Sequence, residues 1–208
     1  MTDVLMPALM PTENIFPLFV EAMFTKNFLL IMFLGLCSYV GLTTNSDTSK
    51  GMSMAVTFVM TMSAILTWPI YYYLLSPASF LGKDLTFLKT ICFILVIAAF
   101  VQLVEFIIRK FSPPLYRSLG IYLPLISTNC AVLGVVLLNV QEGYTYGASI
   151  MYAFGAGLGY SWVMLATAAV REKLIMRGVN LFNGFIGAFF AAMMVALIVV
   201  SYFSVVKL

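Results

Sequence analysis

Residues 33–41 read Phe33-Leu34-Gly35-Leu36-Cys37-Ser38-Tyr39-Val40-Gly41, and residues 126–134 read Ile126-Ser127-Thr128-Asn129-Cys130-Ala131-Val132-Leu133-Gly134. Each stretch holds one cysteine and has a glycine four residues after it. The two cysteines stand 93 residues apart in a chain of 208, so the chain falls into two parts of similar length. How many apolar segments each part contains then decides the architecture.

Six apolar runs can be placed, at 17–42, 52–75, 87–108, 120–140, 146–170 and 182–203. Each is about the 20 residues that a helix needs to cross a bilayer core. Composition agrees: 62% of residues are hydrophobic, 9% are charged and mean hydropathy is +1.05, whereas about a quarter of a soluble domain is charged. The expected fold is all-α and integral to the membrane, a single domain over 1–208 with six transmembrane helices. Short polar links at 43–50, 76–84, 109–117, 141–143 and 171–180 should leave neighbouring helices side by side. The first 16 residues, with Pro7 and Pro11, should form an irregular lead-in. They hold Asp3 and Glu13 and, with Glu21 soon after, lack a basic n-region, so a cleavable signal peptide is not expected.

Three spans per half is an odd number, so the second half inserts upside down relative to the first. This predicts two inverted three-helix repeats, about 17–110 and 118–208. In such folds the functional site sits near the midplane, where corresponding helices are interrupted. Gly35 and Pro124 are the candidate interruptions of the first and fourth helices. A continuous first helix would put Cys37 nearer the cytoplasmic end, while Cys130 falls near the middle of its span; interrupted helices would reconcile the two depths.

Six spans place both termini on one side. That side holds Lys26, Lys83, Lys89 and Lys207, and the other holds Lys50, Arg109, Lys110, Arg117, Arg171, Lys173 and Arg177. Basic residues mark the cytoplasmic face, so the termini are expected outside a cytoplasmic (inner) membrane of bacterial or archaeal type. No basic stripe supports nucleic-acid binding.

The chain has three cysteines and no histidine, which excludes histidine-bearing zinc sites and histidine-ligated haem within it, and there is no CxxC pair. A single membrane cysteine is ordinarily a small packing residue, and Cys92, with no counterpart in the other half, is read that way. Cys37 and Cys130 differ because they occupy matching places. Two such thiols can form a disulfide or, as thiolates neutralised by a soft metal, ligate an iron-sulfur centre, Zn or Cu(I). Two ligands are half a set, so a second chain would supply the rest; Asn129, Ser38 and Thr128 stand close enough in sequence to tune the sulfurs. Glu105 is the one carboxylate well inside a span and shares a helix face with Gln102, as in an ion or proton pathway; Arg109, four residues on, equally allows a local ion pair. Lys26, Asn27 and Glu21 read as interfacial groups, and Trp68 with Tyr71, Tyr72 and Tyr73 as an aromatic belt. Gly155, Gly157 and Gly159 lack a preceding strand, so they indicate close helix packing rather than a nucleotide loop.

Beyond this, the stretches 33–37, 112–117, 123–134 and 169–173 resemble the paired membrane subunits of the Rnf complex and of the sodium-pumping NADH:quinone oxidoreductase. Thr-Asn-Cys-Ala-Val-Leu-Gly at 128–134 and the final Val-Lys-Leu are most similar to the Rnf A branch. The resemblance implies pairing with a homologous, E-type subunit of opposite orientation, each giving two cysteines to one 2Fe-2S cluster inside the membrane; here those would be Cys37 and Cys130. It also implies further Rnf subunits carrying flavins and other iron-sulfur clusters, and electron transfer between ferredoxin and NAD coupled to Na+ or H+ movement. A secondary transporter or channel with Glu105 and Asn129 as ligands is the competing expectation.

Overall fold

The computed structural model describes residues 15–43, 46–72, 86–111, 125–126, 128–178 and 185–206. Among the described residues the fold is entirely helical. Helix α1 (Ile15–Val20) runs on through a π-helical turn, Glu21–Thr25. Then come α2 (Leu36–Leu42), α3 (Ser46–Ile70), α4 (Thr86–Phe111), α5 (Cys130–Gln141), α6 (Tyr146–Met176) and α7 (Phe185–Val206). Among the described residues two of these, α3 and α6, are long and apolar enough to cross a membrane. Residues 1–14 of the lead-in, Pro124 and Tyr73 lie outside the described residues, whereas Ile15 and Phe16, expected in the irregular lead-in, already belong to α1.

The first apolar segment is not one helix. It stops after Thr25, runs through turns from Lys26, and resumes as α2 only after Gly35, which has φ +83°. Asn27 makes the break. Its amide Nδ2 donates to the Met23 carbonyl at 3.1 Å, and its Oδ1 accepts the backbone N–H groups of Leu29 at 3.0 Å and Leu30 at 3.4 Å. An Asn side chain that satisfies its own backbone competes with continued helix in this way. Asn27 is therefore buried and structural, which corrects the expectation that it lies at the interface; Lys26, in a partly exposed ion pair with Glu21 at 3.2 Å, fits that expectation better. Irregular backbone at membrane depth is tolerated only where protein covers it. Here Phe28, Leu29 and Leu30 are buried, and the Leu34 N–H donates to the Phe28 carbonyl at 2.9 Å.

The core pair is α3 against α6. Gly157 sets their separation, since a Cβ there would lie 2.9 Å from the Thr57 Cα. Hydroxyls join the same seam: Thr57 Oγ1 donates to the Gly157 carbonyl at 3.0 Å, and Ser161 Oγ to the Ser53 carbonyl at 3.0 Å. Small and hydroxyl residues at such contacts let helices approach where lipid removes the hydrophobic drive. On another face of α6, Gly155 and Gly159 abut the backbone of α1 and its π-helical turn, at Phe19 and Met23. The three glycines thus serve packing toward two partners at once.

Element ends depart from expectation in two places. The polar link expected at 43–50 is mostly helix, because α3 begins at Ser46 with Asp47 in its first turn, where a carboxylate suits the helix dipole. Helix α6 continues past Val170 to Met176. Arg171, expected in a loop, is 1% exposed and its guanidinium donates to the Thr43 hydroxyl, while Glu172 accepts from Ser46. These contacts tie the end of α6 to the corner between α2 and α3. The glycine partners of the two cysteines also differ: Gly134 is packed against Leu34 and Phe28, whereas Gly41 faces open space. At the other end of α3, Trp68 stacks on Tyr72 with ring centroids 5.3 Å apart and donates its indole N–H to the Tyr144 carbonyl at 3.0 Å.

Candidate functional site

The break before α2 and the start of α5 meet. Cys130 is the first residue of α5, and its Sγ accepts the backbone N–H of Gly35 at 2.9 Å across 95 residues of sequence. Cys37 stands in the first turn of α2, two residues beyond Gly35, and is exposed; Cys130 is partly buried. All three cysteines are free. Cys92 lies on α4, outside the elements that form this junction.

Asn129 is the N-cap of α5. In extended backbone (φ −67°, ψ 115°) its Oδ1 accepts the Ala131 N–H at 3.0 Å, and its Nδ2 donates to the Ser38 hydroxyl at 3.3 Å. The residue is 2% exposed, so both ends of its amide are committed inside the protein. Substituting Asn129 by alanine should cost about 1–2 kcal/mol through loss of the cap; Asn129→Ser, which keeps an accepting oxygen and adds no buried charge, should lose less. Thermal unfolding of the two variants in detergent checks this, and equal losses would contradict it.

Ser38 and Tyr160 complete the site. The Ser38 hydroxyl lies 3.0 Å from the Gly35 carbonyl and 2.8 Å from the Tyr160 hydroxyl, which is itself 3.3 Å from that carbonyl. Tyr160 is fully buried, on α6 directly after Gly159. It is absent from the candidates drawn from sequence; a tyrosine closing a glycine run in mid-span was the available signal, since a phenol at that depth needs a partner. Of the residues expected to tune the sulfurs, Ser38 and Asn129 are in this network and Thr128 is exposed.

Gln102 and Glu105 stand on α4, whereas the network is built from α2, α5, α6 and the turn before α2. The Gln102 side chain is exposed, and that of Glu105 lies outside what the structure describes. Among the described residues no three Cys, Asp or Glu side chains gather as a complete metal site. What the junction offers is two sulfurs at the heads of two short helices, one exposed and one held by a backbone N–H.

Known proteins share this sequence over most of its length. The family model described as "Rnf-Nqr subunit, membrane protein" matches residues 15–207. The chain is 51% identical over 198 residues to the A subunit of the ion-translocating oxidoreductase complex of Methanosarcina acetivorans, covering 94% of this chain and 97% of that one. It is 45% identical over 192 residues to the protein of the same name from Citrobacter koseri, with 92% and 97% covered. A third such protein, from Syntrophotalea carbinolica, is 47% identical over 162 residues, covering 78% and 81%. With helices able to cross a membrane, a family match over nearly its whole length and A-type relatives aligned almost end to end, the chain belongs to the Rnf-Nqr family of membrane subunits.

Proposed function

We propose that this chain is the A-type membrane subunit of an ion-translocating ferredoxin:NAD oxidoreductase complex, and that Cys37 and Cys130 supply half the ligands of an intramembrane 2Fe-2S cluster. The observation that carries the reading is the Gly35 N–H on the Cys130 sulfur, 2.9 Å long, because it draws the two cysteine-bearing segments to one point. A homologous subunit of opposite orientation would present two further cysteines, completing the four that a binuclear cluster takes.

The residues fit such a group. Both donors are soft sulfurs, an N–H already points at one of them, and the exposure of Cys37 leaves the pair open toward a partner. When bound, the cluster would supply a one-electron carrier within the membrane. The chain's own contribution is positional. Asn129 and α5 hold Cys130 at a helix N-terminus, whose partial positive charge favours a thiolate. The turn Phe28–Leu30 is itself buried, and Phe28 packs against Gly134, one turn along α5 from Cys130. Ion movement, of Na+ or H+, would be coupled through the complex that the relatives' names describe. The transporter reading is weaker, because the Asn129 amide that would bind solute is already bonded at both ends.

Purifying the complex anaerobically, with iron analysis and reduced-state EPR, tests this. Cys37→Ser and Cys130→Ser should each remove one binuclear signal and about two irons per complex while the other centres remain. An unchanged set of signals in both variants would overturn the assignment.

A further inference from the structure

The exposed faces of α4 and α7 and the groove between α3 and α6 carry no partner of identifiable chemistry, but the polar junction holds one residue whose role can be assigned. We propose that Tyr160 is a positioning residue for the Cys130 ligand: together with Ser38 it clamps the Gly35 carbonyl and so keeps the Gly35 N–H on the Cys130 sulfur. This rests on the cluster reading above.

The hydrogens can be counted. Ser38 and Tyr160 have one hydroxyl proton each, and their oxygens lie 2.8 Å apart, with the Gly35 carbonyl 3.0 Å and 3.3 Å from them. One hydroxyl therefore donates to the carbonyl and the other donates to the first, while Asn129 Nδ2 donates to Ser38 from the far side. The Gly35 carbonyl thus accepts the Tyr39 N–H at 3.1 Å, as the first bond of α2, and in addition one hydroxyl of a buried chain, whose members come from separate parts of the fold: Ser38 on α2, Asn129 before α5 and Tyr160 on α6.

What the clamp protects is a backbone conformation. Gly35 has φ +83°, a region that glycine populates about as readily as φ < 0, so the residue itself does not choose between them and its neighbours must. The carbonyl lies in the 35–36 peptide and the N–H in the 34–35 peptide, joined through φ and ψ of Gly35, so holding the carbonyl restrains, rather than fixes, the direction of the N–H that reaches Cys130. An N–H donated to a cluster sulfur favours the more negative, reduced state and raises the potential. Because Tyr160 rides on α6, anything that moves α6 against α2 alters this bond, and by linkage a change in charge on the sulfurs acts on α6 with the same free energy.

The test is a redox titration followed by EPR on the intact anaerobic complex, with iron content measured alongside. Tyr160→Phe keeps the ring and its packing and removes only the hydroxyl; Ser38→Ala removes the other. Each single variant is expected to keep its iron and to shift the cluster about threefold toward the oxidised form at a given potential. The Ser38→Ala/Tyr160→Phe pair, which leaves the carbonyl with no hydroxyl, is expected to shift it about tenfold or more, equivalent to roughly 59 mV for a one-electron couple. A residue that only packed would leave the potential unmoved. Iron-replete single and double variants with the wild-type potential would overturn the role of Tyr160 alone. A wild-type complex with no cluster on Cys37 and Cys130 would overturn the cluster reading and this proposal with it.

Discussion

Replacing Gly35 by alanine should destabilise the protein by about 2–5 kcal/mol, and the loss should be visible as a lowered thermal unfolding midpoint in detergent. Two costs add. The left-handed conformation at φ +83° penalises a side-chain-bearing residue by roughly 1–2 kcal/mol. The new Cβ would stand 2.7 Å from the Tyr160 ring, 3.2 Å from Asn129 Oδ1 and 3.3 Å from the Ala131 Cβ, an overpacking worth about 1–3 kcal/mol. None of these neighbours is the loose end of a flexible side chain, so relaxation must move the Asn129 cap or the Tyr160 ring, both part of the same network. Gly41→Ala is the control. Gly41 lies inside α2 with nothing within 4 Å of its Cβ position, and an alanine there should be neutral or stabilising by about 0.5–1 kcal/mol. Equal behaviour of the two variants would contradict a tightly packed junction around Gly35.

Gly159→Ala should be comparably damaging, at about 3 kcal/mol, for a different reason. Its φ is ordinary, but the added Cβ would lie 2.5 Å from the Met23 carbonyl oxygen and 3.0 Å from Asn27 Nδ2. A backbone atom cannot turn away, so the π-helical turn that ends α1 would have to back off α6, and the Asn27 bonds beyond it would be disturbed as well. Overpacking of that kind sits at the upper end of the usual range of about 1–3 kcal/mol. Gly147→Ala, on the same helix and in open space, should leave stability within about 0.5 kcal/mol of wild type or raise it slightly. If Gly159→Ala proved as mild as Gly147→Ala in thermal unfolding, the close approach of α1 to α6 would be wrong.

These two glycines show how differently the two kinds of information were carried. Gly159 was legible in sequence as packing, because three glycines at alternate positions inside an apolar run have few other uses. Which neighbour each one meets was not legible: Gly157 faces α3 while Gly155 and Gly159 face α1 and its π-helical turn, and helix rotation alone does not name the partner. The glycines four residues after each cysteine looked alike in sequence, yet Gly134 is packed and Gly41 is not.

From sequence alone came the membrane character, the family, the pairing of Cys37 with Cys130 and Gly35 as a candidate break. These follow from hydropathy, motif and spacing, which are properties of the chain read one residue after another. Tertiary structure alone decided that Asn27 makes the break after α1, that Arg171 is buried at the corner of α2 and α3, and that Tyr160 closes the network on Gly35. Each of those depends on a polar group finding a partner a hundred or so residues away, or on its own backbone, in a setting without water. Burial makes such bonds obligatory, but only the packing of α1, α2, α5 and α6 determines where they form. Cys37 and Cys130 are where the two meet: the sequence marked them as a pair, and the Gly35 N–H on the Cys130 sulfur shows how the fold draws their segments together.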